Sequence, residues 1–272
     1  MNQGFREASA VELVSEGVFR AGVPDGWQQG RGAFGGLVLA MLARAMERAE
    51  VDPARRLRSL SGELCAPLLP GRADITVATL RRGRGVTYLE SRIAQEGGVA
   101  ARASAAFALA RGPSIAFRGG RAAPEAAPWR DVPVIAIAPP IGPVFATHYE
   151  YRSTGPLPFS GAAAPVTAGW VREHDAPAGA HLDAAAVVAL LDSWWPALFS
   201  IDDAPRPIAT IAFTMELVSD PTGIPADEPL LFAGRVESLH EGFFAETREL
   251  WRRTNDGATL VGLNHQTFAI LV

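Results

Sequence analysis

Leu182-Asp183-Ala184-Ala185-Ala186-Val187-Val188-Ala189-Leu190-Leu191-Asp192-Ser193-Trp194-Trp195-Pro196-Ala197-Leu198-Phe199-Ser200 is the stretch from which the fold can be read. Leu182, Ala186, Val187, Leu190, Leu191, Trp194 and Leu198 leave little polar surface on a helix over 182–200. A helix apolar all round has to be enclosed, and the following sequence supplies the enclosure. Strands are expected at 208–218, 230–239, 243–252 and 259–271, with Glu241-Gly242 and Asn255-Asp256-Gly257 between the last three. These are hairpin signals, so the sheet should be an antiparallel meander and not a series of βαβ units. A curved antiparallel sheet around one long central helix is the economical α+β arrangement.

The same order of elements occurs earlier in the chain. A helix over 34–49 precedes strands at 57–67, 74–80, 86–95 and 99–109, with Arg82-Gly83-Arg84-Gly85 as a turn. Pairing Pro67 with Pro221, Gly83 with Gly242 and Phe107 with Phe268 gives offsets of 154, 159 and 161, a drift that fits longer hairpins in the second copy. Between the copies, Pro113, Pro124, Pro128, Pro133, Pro139, Pro140 and Pro143 fall within 34 residues. The expected organisation is an N-terminal domain over 1–111, a Pro/Gly/Ala-rich linker over 112–145, and a C-terminal domain over 146–272 that carries the candidate catalytic residues.

Composition bounds the function. The chain has 272 residues, 48% hydrophobic and 20% charged, which is globular and long enough for a substantial core. Its unbroken apolar runs, such as 37–43 and 184–191, are far short of the ~20 residues a membrane helix needs. Arg6, Glu7, Glu12 and Glu16 interrupt the N-terminus, so a cytoplasmic location is expected. Cys65 is the one cysteine, which excludes an intramolecular disulfide and suits a small buried apolar side chain. All 25 basic side chains are Arg, which excludes a lysine Schiff base or a P-loop. Residues 1–130 hold 18 Arg against 12 acids, and residues 131–272 hold 7 Arg against 17 acids. Nucleic acid is therefore not an expected partner. The basic half would suit a small anionic ligand such as a nucleotide, with a solvated Arg surface as the commoner alternative.

One ionisable residue stands out. Between Asp183 and Asp202, Asp192 is the single charge among apolar and small residues. Helical spacing puts Val188, Ala189, Trp195 and Phe199 beside it, a dry setting that would raise its pKa and its basicity. The alternative is an Asp that reaches solvent or bonds a loop at the helix end before Pro196. On the next strand, alternation places Thr210, Thr214 and Glu216 on one face, and the last strand places Asn264 and Gln266 on one face. Such strand residues are more often structural than functional.

Gly30-Arg31-Gly32-Ala33-Phe34-Gly35-Gly36 satisfies GxGxxG at a helix start, with Asp52 20 residues beyond Gly32. The context excludes a dinucleotide fingerprint, because polar residues precede it and hairpins follow. What remains is either a tight turn into the helix or a helix N-terminus open to an oxyanion near Gly35 and Gly36. Gly112-Pro113-Ser114-Ile115-Ala116 approaches a nucleophile elbow but lacks the final Gly. His240-Glu241 begins a zincin motif, but Phe244 stands where the second His is required. His148, His174, His181 and His265 have no ligand spacing, and no metal or cofactor is expected.

Taken in order, Glu16-Gly17-Val18-Phe19-Arg20, Phe34-Gly35-Gly36, Thr79-Leu80-Arg81, Ile208-Ala209-Thr210-Ile211, and Asp256-Gly257 leading to Leu260-Val261 and Gln266 resemble the acyl-CoA thioesterase II (TesB-like) family. The resemblance covers nearly the whole chain. It implies two tandem hotdog domains, an acyl-CoA substrate in fatty acid metabolism, and thioester hydrolysis. It further implies that Asp192, Thr210 and Gln266 hold the attacking water; Phe34, Gly35 and Gly36, at the start of the first helix, are the candidate substrate and oxyanion site. Ser59, Ser61, Ala66 and Pro67 stand where that family has a His-rich strand ending in Arg-Pro-Gly. Two rival readings keep the fold. One is a non-catalytic acyl-CoA or lipid binder. The other is an enoyl-CoA hydratase, whose Asp-x-Asn-Pro-x-His run is not formed by Asp175 and His181. Exposed sheet edges or helix faces would be the route to a homodimer or higher homo-oligomer.

Overall fold

The structure, a computed structural model, describes residues 3–112 and 120–271. All but Gly112 of the elbow-like stretch Gly112-Pro113-Ser114-Ile115-Ala116 lies outside the described residues.

The chain folds as two six-stranded antiparallel halves. In the first, β1 (Val11–Ser15) and β2 (Val18–Val23) precede helix α1 (Gly35–Ala49), followed by β3 (Arg56–Leu64), β4 (Gly71–Arg82), β5 (Val86–Gln95) and β6 (Gly98–Ala108). In the second, β7 (Tyr149–Ser153) and β8 (Val166–Glu173) precede helix α2 (Ala184–Ser193), followed by β9 (Ile208–Leu217), β10 (Leu230–His240), β11 (Phe243–Thr254) and β12 (Gly257–Ile270). The sheet order is β1-β2-β4-β5-β6-β3-β9-β12-β11-β10-β8-β7, so the halves mirror one another about the β3–β9 junction. There Ala212 pairs with Glu63 and Glu216 with Ser59, which fuses the two halves into one twelve-stranded sheet. Both helices lie on the inner side, with Leu37 to Ala43 and Ala185 to Leu191 buried in one continuous core. The burial follows from the apolar character of both helix sequences, with Arg44, Glu47 and Arg48 confining the polar side of α1 to its C-terminal half.

The expected second helix over 182–200 is shorter. It starts at Ala184 because Asp183 is its N-cap, the carboxylate accepting a 2.8 Å bond from the Ala186 N–H. It ends at Ser193, where Trp194 turns extended (φ −82°, ψ 149°). Pro196 has no N–H to donate and disfavours helical backbone at Trp195, so the chain restarts as a 3₁₀ turn over Ala197–Ser200. The long central helix expected of each half is therefore 15 residues in one and 10 in the other. Trp195 and Phe199 do not continue the helix past Asp192, contrary to the helical spacing.

Cys65 is a second correction. It is exposed and not buried, because β3 ends at Leu64 and the next two N–H groups turn onto the Ala100 carbonyl at 2.8 and 3.0 Å. In the Pro-rich segment, Ala123, Ala126, Trp129 and Val132 cover Trp170, Leu231 and Trp251 on the outer side of the second half. Arg152 clamps this cover, stacking 4.3 Å over the Trp129 ring and donating to the Trp129 and Val132 carbonyls.

Candidate active site

The two helices run close enough for the N-terminus of α1 to meet the C-terminal turn of α2. Gly36 permits that approach, because a Cβ there would lie 3.0 Å from the Ala189 backbone and closer still to the Phe34 ring. The tight turn expected around Gly30 to Phe34 is present as a short ribbon, Gln28–Gln29 against Gly32–Ala33, leading into the Phe34 cap. The turn reading describes this stretch, and the helix N-terminus it leads into lies beside a carboxylate. That carboxylate is Asp192. A Cβ on Gly35 would stand 3.0 Å from Asp192 Oδ2, and the nearby Gly36 N–H favours the ionised form of the same side chain.

Asp192 lies in the last turn of α2 with its side chain only 7% exposed. The alternative of an Asp escaping to solvent does not describe it. Gln266 on β12 donates from Nε2 to Asp192 Oδ1 at 3.0 Å, and from the same amide nitrogen to Asn264 Oδ1 at 3.0 Å. Asn264 in turn donates to the Thr214 carbonyl at 2.8 Å, which fixes its own amide orientation. Gln266 Oε1 is thereby left to accept from Thr210 Oγ1 at 3.3 Å. The line Thr210, Gln266, Asp192 is therefore continuous and has one sense of donation.

Thr210 reaches this line through a bulge. Thr210 pairs with Phe268 but Ala212 pairs with Thr267, so Ile211 is the extra residue. The inserted residue reverses the parity of the strand, and Thr210 shares the inner face with Phe213 and Met215. Simple alternation had grouped Thr210 with Thr214 and Glu216. Thr214 instead faces outward, 3.3 Å from the Ser61 hydroxyl.

Burial dominates the electrostatics. It pushes the Asp192 carboxyl up to about 6, against the opposing pull of Arg248, the Gln266 amide and the Gly36 N–H. Tyr149 and Tyr151 form part of the dry wall, and burial pushes both phenols up. Phe34 stacks on Phe145 at 3.9 Å between ring centroids, closing the wall beside the α1 N-terminus. His148 is held neutral by burial and stacks on Trp27 at 3.8 Å, a structural role.

Sequence reasoning missed Arg248 and Glu246. Arg248, 3.9 Å from Asp192, is 1% exposed and Glu246 is fully buried, both on the inner face of β11 with Phe244 and Leu250. The signal was present, since both charges are in phase with the apolar residues of that strand. Tyr149 and Tyr151 were missed because β7 is short and was not anticipated as a strand.

The first half carries the same framework with apolar residues at the corresponding places. A bulge at Arg58 lies between the Leu57–Phe107 and Ser59–Ala106 pairs, matching the bulge at Ile211 between Thr210–Phe268 and Ala212–Thr267. Leu57 thus stands where the second half has Thr210. Ala105, two residues before Phe107, stands where it has Gln266, and Ala43 follows the Phe34 cap by the interval that separates Asp192 from Asp183.

The family described as acyl-CoA thioesterase N-terminal domain matches residues 23–108, and the one described as acyl-CoA thioesterase C-terminal domain matches residues 117–270. No curated protein matches the chain. Among solved structures, a conserved hot dog protein of unknown function from Alicyclobacillus acidocaldarius is similar at a TM-score of 0.87 and 23% identity, covering 100% of this chain and 99% of that one. Acyl-CoA thioesterase II TesB2 from Mycobacterium marinum is similar at a TM-score of 0.75 and 20% identity, covering 98% of each chain. A tesB protein from Mycobacterium avium subspecies paratuberculosis is similar at a TM-score of 0.79 and 15% identity, again covering 98% of each. At these identities the likeness establishes the fold, two hotdog units in one chain. The match of both family halves in order establishes more, and the chain belongs to the acyl-CoA thioesterase family of thioester hydrolases.

Proposed function

We propose that the protein hydrolyses an acyl-CoA thioester to a free acid and CoA, with Asp192 as general base toward a water held by Asp192, Thr210 and Gln266. The observation that carries this reading is the Thr210–Gln266–Asp192 line ending on a carboxylate that burial has made basic. A thioester carbonyl has weak resonance stabilisation, so a positioned water and a base suffice without a covalent intermediate. Asp192 takes one proton from the water, and the resulting hydroxide oxygen bonds the carbonyl carbon. The C–S bond then breaks, and the thiolate of CoA leaves with the proton held by Asp192.

The developing oxyanion requires a donor. The Gly35 and Gly36 N–H groups, at the N-terminus of α1 beside Asp192, are the candidates for the substrate oxygen. Phe34 would border the thioester from the buried side. The division at 112–145, a cytoplasmic location and a place in fatty acid metabolism belong to the same reading. Among the described residues no helix is long and apolar enough to cross a membrane.

The test is a panel of acyl-CoAs varying in chain length and branching, with released thiol as the signal. Turnover of at least one member, reduced by about 10² or more in Asp192→Asn with the fold intact, is the expected result. Near-normal turnover by Asp192→Asn removes Asp192 from the mechanism.

A further inference from the structure

The carboxylate of Asp192 is not the only buried charge in its surroundings. Arg248 donates from Nε to Glu246 Oε1 at 2.9 Å, and from Nη1 to the Leu191 carbonyl at 3.1 Å and the Trp194 carbonyl at 3.3 Å. Those two carbonyls flank Asp192 at the point where α2 ends, so the guanidinium occupies the place of a C-cap. The same Nη1 stands 3.9 Å from Asp192 Oδ1, too long for a hydrogen bond and close enough for strong attraction in a dry site. Phe232 and Phe268 hold the guanidinium carbon at 5.7 and 5.2 Å from their ring centroids. Glu246 is itself tied down, its Oε2 accepting from the Ala197 N–H at 2.9 Å just beyond Pro196.

Two carboxylates thus share one guanidinium, with direct hydrogen bonding to Glu246 and Coulomb attraction to Asp192. A pair of this kind is poor evidence for stability, since desolvating the ions offsets their attraction. Its placement has a different consequence. Resting on the reading of Asp192 as the base, we propose that Arg248 and Glu246 are positioning residues: Arg248 pins the end of α2 so that Asp192 stays on Gln266, and Glu246 limits how much of the guanidinium charge Asp192 feels. Without Glu246, the guanidinium would swing into a close ion pair with Asp192 and make it a weaker base. Without Arg248, Asp192 would keep its proton to higher pH and lose its fixed direction.

The groups facing Asp192 are few. They are Arg248 and Glu246 on β11, Gln266 on β12, Tyr149 and Tyr151 on β7, and the Gly36 N–H of α1. Burial pushes both phenols well up, so they stay neutral through the relevant range, which leaves the β11 pair as the adjustable charge.

The test compares the pH dependence of kcat for the full chain carrying Glu246→Gln, Arg248→Gln or Asp192→Asn, with circular dichroism to check folding. Glu246→Gln should move the acidic limb down by about one pH unit, and Arg248→Gln should move it up by a similar amount. Opposite displacements are the expected signature, because general loosening of the site moves both variants the same way. A limb that stays in place in Glu246→Gln, or moves the same way in both variants, overturns the proposal. If Arg248→Gln does not fold, the near-isosteric Glu246→Gln decides alone. Turnover retained by Asp192→Asn would instead overturn the assignment of the base.

Discussion

Gln266 donates to Asp192 Oδ1 at 3.0 Å across 74 residues of chain, joining the last strand of the sheet to the end of the second helix. The same amide holds Asn264 and accepts from Thr210, so it cannot rotate without breaking three contacts. Asp192 is oriented before substrate arrives, which is the condition under which a single carboxylate can act as an effective base.

In the proposed mechanism the ionised form of Asp192 is the active one, and burial holds its carboxyl up at about 6. Activity should therefore rise with pH through that region and level off above it. A kcat profile from pH 4.5 to 9 on one saturating acyl-CoA checks this. An acidic limb at the ordinary carboxylate position would show that Asp192 is not the titrating base.

Stability should run the other way. Asp192 is raised from 3.8 to about 6 on folding, so the folded state holds the proton more tightly than the unfolded chain. Its contribution to stability is fully present below 3.8, declines as pH rises to about 6, and is lost above. Asp192→Asn removes the buried charge and should be more stable than the parent at pH 8 by up to about 3 kcal/mol, with the difference vanishing near pH 4. Denaturant melts at the two pH values measure it, and equal midpoints at pH 8 would contradict the dry setting of the carboxylate.

In the proposed mechanism Thr210 helps to hold the water and takes no proton, so it should be worth less than Asp192. Thr210→Val keeps the shape and removes the donor at 3.3 Å, leaving Gln266 Oε1 unpaired. We expect kcat to fall about tenfold with little change in melting temperature. Gln266→Ala releases both Asp192 and Thr210 and should fall further, toward the loss expected of Asp192→Asn. A Thr210→Val loss as large as that of Asp192→Asn would contradict this ranking.

The two glycines at the start of α1 should separate chemistry from packing. A Cβ on Gly35 would meet Leu64 Cδ1 at 2.7 Å, the end of a flexible side chain, and Asp192 Oδ2 at 3.0 Å. Gly35→Ala should therefore displace the carboxylate and lower kcat about tenfold or more while the fold survives. A Cβ on Gly36 would meet the Phe34 ring at 2.5 Å and the Ala189 backbone at 3.0 Å. Gly36→Ala should force the helices apart and cost about 1–3 kcal/mol of stability. Circular dichroism melts beside thiol-release rates distinguish the two.

Much of the framework was legible because it depends on local period. The alternation at 86–95 became β5 (Val86–Gln95), and the apolar repeat at 34–49 became α1 (Gly35–Ala49). Glu241-Gly242 and Asn255-Asp256-Gly257 turned where hairpin chemistry requires, with Glu241 and Gly242 both at positive φ. Where reading failed, a partner elsewhere in the chain decided the outcome. The Ile211 bulge is set by register against β12, so no pattern within β9 discloses that Thr210 turns inward. Cys65 is exposed because the chain leaves the sheet there.

The sequence by itself determined two copies of one helix and an antiparallel meander, and it singled out Asp192 as a charge that apolar neighbours would make basic. Only the tertiary structure decided that Asp192 meets Gln266, the N-terminus of α1 and the Arg248–Glu246 pair, and that Ala43, Leu57 and Ala105 occupy the corresponding places in the other half. Periodicity is a property of neighbours along the chain and survives in the letters. Burial of a charge and the identity of its partner depend on which distant segments pack together, and that information exists only once the sheet has closed over both helices.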